Sequence, residues 1–180
     1  MSTCHRDDDG TERRCENVVV SIAGNPNTGK SSLFNALTGS RQHIANWPGN
    51  TVERREGQFV EANVAVTLVD LPGAYSLTGA SPEEAIARDH LTDGEADAIV
   101  IVVDASNLER NLYLAVQILE MGMPAVIALN MVDVAQRRGV TIDRQLLADR
   151  LGVPVVPTVA RTGTGITELR SAVVAMAAAA

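Results

Sequence analysis

Val18-Val19-Val20-Ser21-Ile22-Ala23 runs into Gly24-Asn25-Pro26-Asn27-Thr28-Gly29-Lys30-Ser31, and Ser32-Leu33-Phe34-Asn35-Ala36-Leu37-Thr38 follows, closed by Gly39. The first segment is β-branched and reads as a buried strand. The last places Leu33, Phe34 and Leu37 at helical spacing. Between them lies G-x-x-x-x-G-K-S, the phosphate-binding P-loop. Its glycines let backbone N–H groups converge on phosphate oxygens, and the helix that follows adds the positive end of its dipole. Ser31 offers a hydroxyl to Mg²⁺. Lys30 is the only lysine of the chain; the other 14 basic side chains are arginines. A compact ammonium reaches β/γ-phosphates through a tight loop where a planar guanidinium is too broad.

The bulk composition agrees with one globular domain. The chain has 180 residues, 46% hydrophobic but only 3% aromatic, so the core is built from Val, Leu, Ile and Ala. Such aliphatic runs suit a parallel sheet covered on both faces. A net charge of −7 argues against a nucleic-acid surface. The arginine pairs at 13–14, 54–55 and 137–138 are scattered over solvated faces. Residues 1–16 read as a disordered polar tail holding Cys4, His5 and Cys15, without a disulfide or zinc spacing. No signal peptide is visible, and the alanine-rich end is far shorter than the roughly 20 residues a membrane span needs.

Residues 17–180 form the domain. Ser40 to Asn50 is polar and rich in turn formers. Val52–Val60 and Asn63–Val69 read as strands of a hairpin joined by Glu61-Ala62. Ser81-Pro82-Glu83-Glu84 opens a capped helix. Ala98–Val103, Pro124–Leu129 and Val153–Pro157 are further strands, alternating with helices at Leu108–Met121, Asp143–Leu151 and Ile166–Met176. The order predicts an α/β fold: a mostly parallel six-stranded sheet with one antiparallel hairpin strand and helices on both faces. Ligands of such sheets sit at the carboxyl ends of the strands. The P-loop, Asp70, Asn130 and the turn at 158–163 each follow a strand, so they are expected on one rim.

Asp70-Leu71-Pro72-Gly73 has the D-x-x-G spacing. Asp70 suits Mg²⁺, and Gly73 lets a backbone N–H approach a γ-phosphate, with release of the loop when that phosphate is lost. Thr51 is either a Mg²⁺ and γ-phosphate ligand or a strand-edge threonine. Asn130-Met131-Val132-Asp133 speaks to the base: a carboxylate accepts from both N1–H and the exocyclic amine of guanine, a donor pair adenine lacks. A helix cap is the alternative role for Asp133. Met131 stands where a lysine stem would pack on the base, and its apolar length can serve. Thr158-Val159-Ala160-Arg161 brings backbone N–H groups near the guanine oxygen, with Val159 in place of a bracing serine. Ala74 follows D-x-x-G and cannot orient water as a glutamine would. These motifs together predict a P-loop GTPase of the Ras-like fold.

The chain resembles the cytosolic G domain of the FeoB family of bacterial ferrous-iron transporters, from about Val18 to Met176. The likeness is carried by Gly24–Asn35, by Asn46-Trp47-Pro48-Gly49-Asn50-Thr51-Val52-Glu53-Arg54-Arg55-Glu56-Gly57, and by Asp70-Leu-Pro-Gly-Ala-Tyr-Ser-Leu77. Asn130-Met-Val-Asp133 and Val153-Pro-Val-Val-Pro157 extend it. It departs at Asn50, where the family has an apolar residue, and at Val159. The resemblance implies slow GTP hydrolysis coupled to Fe²⁺ uptake, at the cytoplasmic face of the bacterial inner membrane. It further implies a membrane transporter domain of the same protein as partner, with the family's helical and membrane domains outside these residues. It makes Thr51 the switch threonine and implies that Asn27, otherwise a loop-shaping residue, helps hold K⁺ beside the β/γ-phosphates. The expected catalytic set is Lys30, Asn27, Thr51 and Gly73. Ser31, Thr51 and Asp70 are the Mg²⁺ ligands and Asn27 the K⁺ ligand. The nucleotide-binding set for GTP or GDP is Gly24, Asn25, Pro26, Asn27, Thr28, Gly29, Lys30, Ser31 and Ser32; Gly49, Asn50, Thr51, Val52 and Glu53; Asp70, Leu71, Pro72 and Gly73; Asn130, Met131, Val132 and Asp133; and Val159, Ala160 and Arg161. Trp47, the only tryptophan, is a surface anchor for its loop or moves with the nucleotide. Two alternatives are a GTP/GDP sensor with incidental hydrolysis and a soluble GTPase of RNA modification or ribosome assembly.

Overall fold

A computed structural model describes residues 16–39 and 42–177. The tail expected over residues 1–16, with Cys4, His5 and Cys15, lies outside these apart from Glu16, where the first strand already begins. The aliphatic runs become strands because β-branched side chains pack well on a pleated surface. The strands are β1 (Glu16–Gly24), β2 (Gln42–Asn46), β3 (Glu53–Glu61), β4 (Val64–Asp70), β5 (Ala98–Asp104), β6 (Ala125–Asn130) and β7 (Val155–Pro157). The helices are α1 (Lys30–Thr38), α2 (Pro82–Thr92), α3 (Leu108–Leu119), α4 (Val132–Arg137), α5 (Arg144–Leu151) and α6 (Ile166–Ala177). The capped start of α2 is as expected: Ser81 accepts from Glu84 N, and Pro82 opens the first turn.

One sheet of order β2-β3-β4-β1-β5-β6-β7 joins the strands. β4, β1, β5, β6 and β7 run parallel, while β2–β3 and β3–β4 are antiparallel. Among the described residues the sheet thus has seven strands, not six. The additional one is β2, inside the stretch read as polar turns, paired from Gln42 opposite Gly57 to Asn46 opposite Glu53. Its residues from His43 to Asn46 are all exposed, so it carries no apolar alternation to read. An edge strand can form on backbone pairing alone. The hairpin turn falls at Ala62-Asn63, one residue beyond the expected place, with φ of 48° and 64°. Two positive φ angles match the right-handed twist of the flanking strands.

The side chains of β1, β4 and β5 alternate between two buried layers. Ala23, Val69, Ile99 and Ile101 pack beneath α2 and α3, whereas Val20, Ile22, Leu68 and Val100 pack beneath α1 and α6. This double cover leaves the carboxyl ends of the parallel strands free, and the loops there carry the site.

Candidate nucleotide site

The P-loop leaves β1 at Gly24, where a Cβ would lie 2.6 Å from the backbone oxygen of Val102. Only glycine permits that approach. Gly29 sits at φ 83°, and a Cβ there would lie 2.4 Å from Asn130 Nδ2. Asn27 is exposed and also left-handed, at φ 67°, a conformation asparagine tolerates. Thr28 closes the loop from inside, its hydroxyl donating to Asn25 O at 2.9 Å. Lys30 and Ser31 lie in the first turn of α1, and the exposed side chains of Ser31 and Ser32 line its outer face.

Asp70 ends β4 and is 7% exposed. Lys30 Nζ lies 2.5 Å from its Oδ1. Burial pushes the Asp70 carboxyl above the usual carboxylate range, and the Lys30 ammonium offsets only part of that. The loop beyond is pinned along the P-loop. Leu71 N donates to Ile22 O, Ala74 N donates to Gly24 O, and a Cβ at Gly73 would meet Pro26 at 3.3 Å. Leu71 and Ala74 are buried in the core, so their side chains anchor the loop and do not face the site.

Asn130 joins the two halves of the rim. Its Nδ2 donates to Thr28 O at 2.9 Å. Its Oδ1 accepts from Thr158 Oγ1 at 3.2 Å and from Ala160 N at 3.1 Å. One buried amide therefore ties β6 to the P-loop and to the loop after β7. Met131 is left-handed at φ 60°, and its Cε would lie 3.3 Å from a Cβ at Gly29, so the thioether rests on the P-loop. A non-glycine residue held in this region costs of order 1–3 kcal/mol and concentrates at functional sites. A cavity of about 400 Å³ opens here, lined by Gly29, Ser32, Asn130, Met131, Asp133, Val134, Arg137, Val159, Ala160 and Arg161.

Gly29, Ser32, Asn130, Met131, Asp133, Val159, Ala160 and Arg161 were expected in the site, and the fold brings them together around this cavity. Val132 does not line it: its side chain packs against the layer under α2 and α3. Arg137 was missed. It pairs with Asp133 at 2.8 Å, one helical turn away, and Arg161 stands 3.8 Å from the same oxygen. The i, i+4 spacing was a visible signal, but α4 is too short to be read as a helix from its sequence. Thr158, fully buried, braces Asn130 from the loop where Val159 offers no hydroxyl.

The segment Gly49–Glu53 is not joined to the P-loop by any hydrogen bond among the described residues. Its bonds run to its chain neighbours, with Trp47 N donating to Val52 O, Asn50 N to Trp47 O and Asn50 Nδ2 to Pro48 O, and Glu53 pairing with Asn46 in the β2–β3 ladder. Thr51 is exposed. Trp47 is no surface anchor: it is 5% exposed, edge-on to His90 at 5.2 Å, with the Arg54 guanidinium 4.6 Å over its ring.

A family model described as ferrous iron transport protein B matches residues 18–173. The Fe(2+) transporter FeoB of Salmonella typhimurium strain LT2 is 53% identical over 160 residues, 87% of this chain and 21% of that protein. The Fe(2+) transporter FeoB of Escherichia coli K12 is 52% identical over the same shares. The chain therefore spans about a fifth, 21%, of the length of these curated relatives. Among solved structures, the G domain of T. maritima FeoB superposes with a TM-score of 0.85 at 47% identity, covering 90% of this chain and 99% of that one. The GMPPNP form of the T. maritima cytosolic domain gives 0.86 at 49%, over 89% of this chain and 64% of that one.

Proposed function

Because the chain belongs to the ferrous iron transport protein B family, we propose that its G domain binds GTP and GDP, hydrolyses GTP slowly, and couples that cycle to Fe²⁺ passage. The passage runs through a membrane transporter domain of the same protein, at the cytoplasmic face of the bacterial inner membrane. Among the described residues no helix is long and apolar enough to cross a membrane. The observation that carries the reading is Asn130, which holds the P-loop and the guanine-side loop on one rim. Family membership and the acidic charge argue against a soluble GTPase acting on RNA.

Lys30 supplies the positive charge that phosphate oxygens meet, and the N–H groups of the P-loop and the first turn of α1 add to it. Asp133, held by Arg137, presents its carboxylate to the base. Gly73, pressed against Pro26, gives the loop after β4 a backbone N–H beside the phosphates.

The donor set fits Mg²⁺: Ser31 and Thr51 hydroxyls and the Asp70 carboxylate are hard oxygen ligands. Mg²⁺ held by these groups would neutralise charge on the phosphates of a bound nucleotide. Asn27, exposed and without a side-chain hydrogen bond among the described residues, has a free amide oxygen suited to K⁺, whose charge stands in for an arginine finger. Ala74 is buried and cannot hold water, so turnover is slow.

The test is phosphate release from GTP with Mg²⁺, in KCl against NaCl at equal ionic strength. Faster release in K⁺, lost in Asn27→Ala, is expected. Equal rates in both salts would remove the K⁺ role. GTP binding without release in either salt would overturn the hydrolytic reading.

A further inference from the structure

On the α2/α3 side of the sheet a second cavity of about 410 Å³ is lined by Asn25, Tyr75, Ser76, Arg110 and Tyr113. It shares no lining residue with the cavity beside Asp133. Asn25 comes from the P-loop, Tyr75 and Ser76 from the loop after β4, and Arg110 and Tyr113 from α3.

Three features show what it accepts. Asn25 is 4% exposed, and its Nδ2 is wholly buried with no hydrogen-bond partner among the described residues. A buried donor left unsatisfied costs about 1–3 kcal/mol, so a group that accepts from it is stabilised by that relief. Arg110 has no carboxylate partner among the described residues. Its guanidinium lies 4.5 Å over the Tyr75 ring, which orients the planar fork without using its donors. Tyr75 and Tyr113 are 44% and 60% exposed and give the mouth two aromatic surfaces. Among the described residues no acidic side chain lines the cavity.

We propose that this cavity is a second ligand site, which takes a small organic carboxylate with a flat apolar body. The carboxylate accepts from the Arg110 fork, and the apolar body lies against Tyr75 and Tyr113. A guanidinium matches the two oxygens of a carboxylate geometrically. The size falls in the range of small-molecule pockets, roughly 300–1,000 Å³. Leu77 N donates to Gln117 Oε1 at 2.9 Å, so the roof is also tied to α3 beyond the cavity. An occupant therefore holds the loop after Gly73 against α3, and nucleotide and carboxylate affect each other's affinity reciprocally. This coupling rests on the GTP-switch reading; the binding does not.

The test titrates the GDP-bound chain with sodium benzoate, and separately with neutral benzamide, at constant ionic strength, following side-chain amide and tyrosine ring resonances by NMR. Saturable benzoate shifts at Asn25, Tyr75 and Tyr113 are expected, with affinity falling about tenfold or more in Arg110→Ala, as the loss of a charged hydrogen bond implies. Tyr113→Ala is a second variant, and circular dichroism and GDP affinity show that both fold. Benzamide binding as tightly as benzoate overturns the proposal, as does non-saturable shifting or indifference to Arg110→Ala. Binding of an acidic peptide but not benzoate also overturns it, in favour of a protein-docking surface. Saturable benzoate binding in a chain that never releases phosphate keeps the site and sinks the GTPase reading alone.

Discussion

Replacing Asn130 by alanine tests how the two halves of the nucleotide site are held together. The side chain is 2% exposed and makes three hydrogen bonds, to Thr28 O, Thr158 Oγ1 and Ala160 N. At about 0.5–1.5 kcal/mol each, their loss is expected to destabilise the fold by about 1.5–4.5 kcal/mol. The upper half applies if Ala160 N stays buried without a partner. Urea unfolding monitored by circular dichroism reads that change. GDP affinity is expected to fall at least about tenfold, because the P-loop and the loop after β7 are no longer fixed relative to each other. A second leg makes the geometry itself testable. Gly29→Ala places a Cβ 2.4 Å from Asn130 Nδ2 at φ 83°, and Asn130 cannot move aside without breaking its bonds. In the Asn130→Ala background that clash disappears, leaving the cost of the left-handed backbone and the 3.3 Å contact with Met131 Cε. The two substitutions are therefore expected to be non-additive by roughly 1–2 kcal/mol, within the range seen for contacting residues. Additivity within about 0.5 kcal/mol, or an Asn130→Ala protein as stable and as tight for GDP as the parent, would refute this account of the site.

Three further outcomes follow from other residues. Asp133→Asn exchanges an acceptor carboxylate for an amide with donors, so affinity for GDP is expected to fall about 10- to 100-fold while xanthosine diphosphate, with an oxygen at C2, gains; competition binding reads both. His90 is buried, with Nε2 2.9 Å from Ser21 Oγ and Nδ1 3.0 Å from Glu95 Oε2, off the line of a hydrogen bond. Burial lowers its pKa below 6.5, and the partial compensation by Glu95 and Asp93 is opposed by Arg54. The folded state thus binds the proton less readily than the unfolded chain, so the urea midpoint is expected to drop as pH falls from 6.5 toward the lowered value, and His90→Gln to lack that step. Trp47→Ala empties a buried site under Arg54 and beside His90, and is expected to cost about 3–5 kcal/mol in thermal or urea unfolding. A smaller loss would return Trp47 to the role of a loop anchor.

Much of the site is local chemistry and could be read from spacing. A strand, a glycine loop and a helix in direct succession admit one geometry at Gly24–Ser31, since the backbone conformations of Gly29 and Asn27 follow from residue type. The placement of Asp70, Asn130 and Thr158 after strands, together with right-handed crossovers in a parallel sheet, puts them on one rim from chain order alone. The family likeness was legible for the same reason: its motifs are contiguous.

What needed the tertiary structure is whatever depends on partners distant in the chain. β2 is paired by backbone hydrogen bonds at an exposed edge, and such bonds leave no side-chain pattern in Gln42–Asn46. Trp47 is buried because α2 and Arg54 close over it, 43 and 7 residues further along, as the His90 and Arg54 contacts show. Val132 and Asp133 are neighbours in one motif, yet the helical turn sends one into the core and leaves the other on the cavity. Asn25 and Gly29 belong to the same loop, but only the packing of α3 shows that Asn25 lines a different cavity. Sequence fixes such residues by type and order; which face each one meets is set by the layers that pack around the sheet.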